Sequence, residues 1–356
     1  MAQLERKLAS PQVSNRFSLL LRGIILVLIV IGFLIIYRLF WYCGREPLVV
    51  YCAHDSIYSE KVLKEFERRT GISVSVRFDT EATKSLGLVE LLVREKDHPR
   101  CDVFWNNEVL GTLYLQDEGI LQPYKGAGFE RIPPQFKDPD GHWVGFGARL
   151  RVYIINTNLL SPVEAAVNKA LQGDLSRVAI AKPLYGTTFT HYTVLWHLWG
   201  EDKLKAWHTD WRRRGVREVL GNATVKSLVA EGVCCLGLTD SDDFFVAKDE
   251  GKQVAMLPCR LENGSVICIP NTVAIVKGSR HLEEAKKLVD YLLGEECEES
   301  LANSRSRQVP LGPVAPERIS EEVRELKRWA EAAYPLFALK NARSACLNWL
   351  KSEYLK

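Results

Sequence analysis

Three carboxylates stand close together in Gly237-Leu238-Thr239-Asp240-Ser241-Asp242-Asp243. The stretch directly follows an apolar run, Val233-Cys234-Cys235-Leu236, of the kind that forms a buried strand. Acids at a strand's end can hold a hard cation or contact a polar ligand. The competing use is an acidic turn, since Asp and Ser readily bond their own backbone.

Such acids need a scaffold, and the chain ahead of them supplies one. Leu48–Ala53 reads as a strand ending at His54, and Tyr58, Val62, Leu63 and Phe66 mark one face of a helix stopped by Gly71. Ile72–Phe78 alternates as a strand, followed by Asp79-Thr80-Glu81-Ala82-Thr83; a helix then uses Leu86, Val89, Leu92 and Val93. Asp102–Trp105 is a third strand, ending in Asn106-Asn107-Glu108, with a helix to Gly119. Strand–helix alternation predicts an α/β fold with a parallel sheet covered on both faces. Ligands gather at the C-terminal strand ends of such sheets, where His54, Thr80, Glu81, Asn107 and Glu108 fall. Two of these have a structural use as well: His54 in packing, and Glu108 against the dipole of the next helix.

Residues 133–147 read as loop-rich, and Arg151–Asn156 as a strand. A second α/β unit follows. Val178–Ile180 leads through Pro183-Leu184-Tyr185-Gly186-Thr187-Thr188 into a Trp-rich helix near 189–199. Gly186, Thr187 and Thr188 precede that helix, and backbone N–H groups at a helix N-terminus suit an anion. His191 lies just beyond and serves either the cleft or the start of the helix. Trp196, Trp199, Trp207 and Trp211 are read as helix packing, and Val216–Leu220 precedes Gly221-Asn222 and a helix at 224–231. Asn263-Gly264 marks a two-residue hairpin that sets Cys259 opposite Cys268, within disulfide range. Thr272–Val276 is a strand, Leu282–Leu292 a helical stripe, and 318–356 helices.

A chain of 356 residues predicts about two domains. A net charge of +3 gives no case for nucleic-acid binding. Residues 23–37 carry no charge, and with their flanks form an apolar stretch of spanning length broken by Arg22 and Arg38. Basic residues before it and Tyr37, Phe40, Trp41 and Tyr42 after it predict an uncleaved transmembrane anchor over 17–43. Residues 1–16 are then a cytoplasmic basic arm and the bulk of the chain is exported; a cleaved signal is the alternative. Export permits disulfides, but nine cysteines cannot all pair within one chain.

Taken together, Asp79–Lys84, Asp102–Glu108, Pro183–Thr188, Gly237–Asp243 and Ile269–Thr272 resemble the linked motifs of bacterial ABC-importer solute-binding proteins. The branch is the ferric-iron-binding type of extracellular solute-binding protein family 1, and the similarity spans roughly 47–315. It implies the two-lobed type II periplasmic binding protein fold. One lobe would be 47–148 plus 270–315 and the other 149–269, with hinges near Ala148–Val152 and Ile267–Thr272. Residues 316–356 would be helices packing on the body. A monomer would capture its cargo between the lobes and deliver it to an ABC permease at the extracytoplasmic face. The resemblance implies Fe³⁺ as cargo with carbonate or phosphate, held by His54 and Glu108, and by Asp240, Asp242 and Asp243 where the family has Gly-Leu-x-Asn and a tyrosine pair. That departure matters: aspartates are hard donors but less selective, and suit Fe²⁺, Mn²⁺ or another divalent ion as well. Asn222 and Arg149 match anion-contacting positions beside Gly186, Thr187 and Thr188, and Asn271 falls in the last shared segment.

Two other readings stand beside this one. The ligand could be a small organic or phosphorylated anion. Acids near a His could also serve a metal-dependent hydrolase, although no G-x-S-x-G elbow, H-E-x-x-H pair or Walker loop is present.

Overall fold

A computed structural model describes residues 24–33, 46–79 and 86–355. Residues 24–33 form a helix whose large side chains are exposed, in a unit separate from Leu48–Lys356. Among the described residues no helix is long and apolar enough to cross a membrane, so the expected anchor over 17–43 finds no support there. Its remaining residues, like Thr80 and Glu81, lie outside the described ones.

The larger unit begins as its strand–helix alternation predicts. β1 (Leu48–Cys52) lies between β2 (Val74–Phe78) and β3 (Val103–Asn106), parallel to both. The intervening helices are α1 (Ser56–Thr70) and α2 (Leu86–Arg94), and α3 (Leu110–Asp117) follows β3. The apolar stripe of α1 buries Tyr58, Val62, Leu63 and Phe66. Burying each such large apolar side chain is worth about 1.5–3 kcal/mol, which fixes the helix on the sheet.

After β4 (Leu121–Gln122) the expectation of a loop up to Gly147 is corrected. β5 (Val144–Asn156) runs unbroken for 13 residues. Its even-numbered residues Val144, Phe146, Ala148, Leu150, Val152 and Ile154 are all buried apolar, a period of two that Gly145 and Gly147 had obscured. Residues 144–150 pair antiparallel with β10 (Cys268–Val276). Residues 151–155 pair antiparallel with β8 (Leu236–Asp240), and 152–156 with β9 (Val254–Pro258). β6 (Val178–Ala181) and β7 (Arg217–Val219) extend the β8 side in parallel. The strand order is therefore β2-β1-β3-β10-β5-β8-β6-β7. One half is built on β1–β3, the other on β6–β8, and β5 belongs to both.

The second half carries α4 (Glu164–Gln172), α5 (Gly186–Trp199), α6 (Glu201–Arg213), α7 (Asn222–Ala230) and α8 (Ser241–Asp249). The tryptophans pack as expected, Trp207 and Trp211 with ring centroids 4.3 Å apart. α9 (Leu282–Leu292), α10 (Glu295–Ala302) and α11 (Glu321–Ala330) follow. The final helix, α12 (Lys340–Tyr354), packs on both α3 and α5.

The predicted Cys259–Cys268 disulfide is not formed; both thiols are free and buried. Arg260 bridges Val266, one position away from the Ile267 that a two-residue loop would give it. Leu261 and Gly264 close the turn and Gly264 is left-handed, so three residues form the loop and the register slips by one. Cys259 then donates its N–H to Arg151, while Cys268 pairs with Leu150.

Candidate functional site

β8 ends on Asp240 and α8 begins at once, so the acidic stretch is neither all strand nor all turn. Asp242 and Asp243 occupy the first turn of α8, where a carboxylate is favoured by the helix dipole. The three carboxylates offer oxygens within 4.8 Å of one another.

Their roles diverge. Asp240 is buried, and its Oδ1 accepts from Arg151 Nη1 at 2.7 Å. Its Oδ2 accepts from Thr187 Oγ1 at 2.6 Å and from Asn222 Nδ2 at 2.9 Å. Asp242 and Asp243 are half-buried; Thr239 Oγ1 donates to Asp243 Oδ2 at 2.7 Å. Burial pushes the Asp242 carboxyl up to about 8; Arg149 opposes this, while Asp243, Asp240 and Asp55 add to it.

Arg149 and Arg151 share one face of β5, opposite its apolar one. Sequence reasoning missed Arg151. Its signal was two arginines at i and i+2 in a buried strand, a pattern that requires carboxylates in front of that face. Arg149 is 4% exposed, and its Nη2 donates to the Asn107 carbonyl at 2.5 Å. Its Nε lies 3.5 Å from Asp240 and 4.0 Å from Asp242, while its Nη1 is buried with no partner among the described residues.

Of these groups, Arg149, Asp240, Asp242 and Asp243 line a cleft of about 510 Å³. Asp55, Ile57, Tyr58 and Asn107 contribute from the first half. Gly186, Thr187 and Thr188 open α5 into it, and Asn222, Ala223 and Thr224 open α7. Gly237 permits this approach of α7: a Cβ there would meet Val225 at 2.5 Å. Thr188 Oγ1 donates to Asn222 Oδ1 at 3.2 Å, and Asn222 Nδ2 to Thr187 Oγ1 at 2.9 Å. Lys182 and Lys226 also line the cleft, and neither was singled out from the sequence. The cleft thus brings together Asn107, Arg149, Gly186, Thr187, Thr188, Asn222, Asp240, Asp242 and Asp243.

Other expected residues sit elsewhere. The His54 ring is 3% exposed, packed 5.5 Å from Trp105 and 5.9 Å from Tyr58, with Nε2 2.9 Å from Gln308. Glu108 is buried and turned back on its own chain, accepting from Leu110 N at 2.5 Å and Gly111 N at 2.7 Å. Burial raises its carboxyl above the usual range, although those N–H groups pull it down. Asn271 holds the β5–β10 crossing, donating to Gly147 O at 2.5 Å and Gln308 Oε1 at 2.8 Å. His191 is buried with Nδ1 unpartnered among the described residues; burial, and then Arg151, lower it to about 3 and keep it neutral. It lines a separate cavity with Tyr153 and Cys259.

No family model matches the chain. An uncharacterized protein of Haemophilus influenzae is 26% identical over 283 residues, 72% of this chain and 75% of its own. The Fe(3+)-binding periplasmic protein of Serratia marcescens is 22% identical over 276 residues, 75% and 79% of the two chains. Iron-bound HitA from Pseudomonas aeruginosa superposes with a TM-score of 0.73 at 21% identity, covering 86% of this chain and 99% of its own. The periplasmic binding protein AfuA of Actinobacillus pleuropneumoniae, with fructose-6-phosphate bound, gives 0.68 at 21%, covering 86% and 98%. The fold is that of periplasmic iron-binding proteins, a mixed α/β architecture.

Proposed function

We propose that this chain is the substrate-binding component of an ABC importer, capturing ferric iron with an anion and delivering both to a membrane permease. It is a binding protein and not an enzyme, a reading supported by a relative named Fe(3+)-binding periplasmic protein and by the solved periplasmic binding protein AfuA. The observation that carries the reading is one cleft holding both signs of charge. Asp242 and Asp243 offer hard oxygen donors, while two helix N-termini and Arg149 offer donors to an anion.

In this reading 47–148 plus 270–315 form one lobe and 149–269 the other. The β5–β10 crossing acts as the hinge, where the register shifts between Pro270 and Asn271. Residues 316–356 pack on both. The site of action is the periplasm, with the apolar run of 17–43 tethering the chain to the cytoplasmic membrane; resistance to a high-pH carbonate wash tests that tether.

A metal-free phosphorylated organic anion is the second reading. It is favoured by the aspartates that stand where the family's tyrosine pair is expected, and by the two helix N-termini.

Metal-stripped protein should melt higher with Fe³⁺ and an anion than with Fe²⁺, Mn²⁺, Zn²⁺ or Ca²⁺, since binding to the folded state raises Tm by mass action. Asp242→Ala with Asp243→Ala should abolish the shift. A shift that persists in the double variant removes this stretch from the site.

A further inference from the structure

A second cavity, of about 760 Å³, shares no lining residue with the cleft. Tyr153 and Leu238, paired across β5 and β8, line it from the sheet. Side chains of α4, α5 and α6 and of residues 259–262 complete its wall. Its volume falls in the range of small-molecule sites, roughly 300–1,000 Å³.

The wall is aromatic and carries no net charge. Trp199 and Trp207 are half-buried and Trp211 is buried, so α5 and α6 present ring surface to the cavity. Its charged lining residues balance, Asp210 and Glu262 against Arg214 and Arg260. Each is also held by a neighbour. Asp210 meets Arg213 at 2.6 Å and Arg214 at 3.1 Å, Glu262 meets Lys203 at 3.0 Å, and Arg260 Nη1 donates to the Gly264 carbonyl at 3.3 Å. An ion entering here meets no net opposite charge, unlike one entering between Arg149 and the aspartates.

One polar atom is left over. His191 lines the cavity, is 4% exposed, and its buried Nδ1 has no partner among the described residues. The Tyr153 hydroxyl and the Cys259 thiol bond each other, which leaves the imidazole as the group to be satisfied. Burial keeps that ring neutral, and a neutral imidazole accepts at one nitrogen while the other carries the hydrogen. A buried acceptor of this kind is costly until a donor reaches it.

We propose that this cavity is a second ligand site, for a neutral aromatic molecule of one or two fused rings bearing a hydroxyl or ring N–H, its rings against Trp199, Trp207 and Trp211 and its donor on His191 Nδ1. The site goes beyond the cargo cleft and does not depend on what the cleft binds.

The test is calorimetric titration of the full-length, metal-stripped chain in detergent with 2-naphthol, the heat of the same detergent without protein being subtracted. Binding should saturate at one molecule per chain. Naphthalene, with the same rings and no donor, and 2-naphthoate, with the same rings and a charge, should each bind roughly tenfold more weakly or worse, the loss of one well-placed hydrogen bond. His191→Phe should bring 2-naphthol down to the level of naphthalene and leave naphthalene itself unchanged. Uptake that rises linearly without saturating overturns the site. Naphthalene bound as tightly as 2-naphthol by the parent chain, or 2-naphthol unaffected by His191→Phe, overturns the role of the imidazole. 2-Naphthoate bound more tightly than 2-naphthol overturns the neutral class of ligand. The comparison of the three compounds on the parent chain decides the matter even if the variant does not fold.

Discussion

Arg151 Nη1 donates to Asp240 Oδ1 across 2.7 Å, the two residues directly opposed on antiparallel β5 and β8. Both side chains are buried, and the pair also gathers Thr187 and Asn222. This places Asp240 in the frame of the cleft, organising the ends of α5 and α7. Breaking one side of a buried pair costs about 3–5 kcal/mol. Arg151→Met and Asp240→Ala are therefore expected to lose stability on that scale in urea unfolding. Arg151→Met combined with Asp240→Leu should recover most of the loss, and a loss under 1 kcal/mol in the single variants would contradict the framing role.

Asp242 gives a pH dependence of definite sign. Its carboxyl titrates near 8 in the folded protein against an ordinary value of 3.8. Between those values the unfolded chain has lost the proton and the folded chain keeps it. Stability from this group therefore falls as pH rises through that window, by about 1.4 kcal/mol per pH unit at most. Asp242→Asn should melt higher than the parent at pH 7 and equally at pH 4. Cation affinity should rise with pH up to about 8, because the metal needs the ionised form. Matching melting curves for parent and variant at pH 7 would show the group to be solvated.

The sequence made the parallel strands, the apolar face of α1 and the position of Asp240–Asp243 legible, since each rests on a local period or a local cluster. Long-range pairing was less visible. The Gly145 and Gly147 positions read as loop because their covering strand, β10, comes over 120 residues later. Arg151 read as one more strand residue because its carboxylate is at position 240. The hairpin failed on one residue: Asn263-Gly264 names a turn but does not decide between two and three loop residues, and that choice alone sets the register. His54 and Glu108 fall at strand ends as expected, yet Gln308 and the backbone of α3 claim their polar atoms.

Glu108 separates support from ligation. Its carboxylate accepts the Leu110 and Gly111 N–H groups at the start of α3. Leaving those buried donors without a partner costs about 1–3 kcal/mol. Glu108→Ala should lower Tm correspondingly while leaving the affinity for Fe³⁺ with its anion unchanged. A loss of affinity with Tm intact would instead make Glu108 a ligand.

His191 is expected to contribute to acid lability. Held near 3 in the folded protein against 6.5 normally, it contributes stability that is complete above pH 6.5. That stability is lost as pH falls from 6.5 toward 3, again by at most about 1.4 kcal/mol per unit, because the unfolded chain takes the proton first. His191→Gln should flatten this limb in urea titrations between pH 7 and 4. An unchanged slope would assign the acid lability to other groups.

The thiols of Cys259 and Cys268 give a prediction that needs no ligand. Both are buried and unpaired, and burial pushes the Cys268 thiol up to about 12 and raises that of Cys259. Only the thiolate reacts quickly with alkylating reagents. Neither cysteine should be labelled by iodoacetamide in the native protein at pH 8, even in an oxidising compartment. Both should be labelled after denaturation without reductant, each adding one adduct mass to its peptide. A linked 259–268 peptide under those conditions would mean that the hairpin takes the two-residue loop and that Cys259 turns from Arg151 toward Cys268.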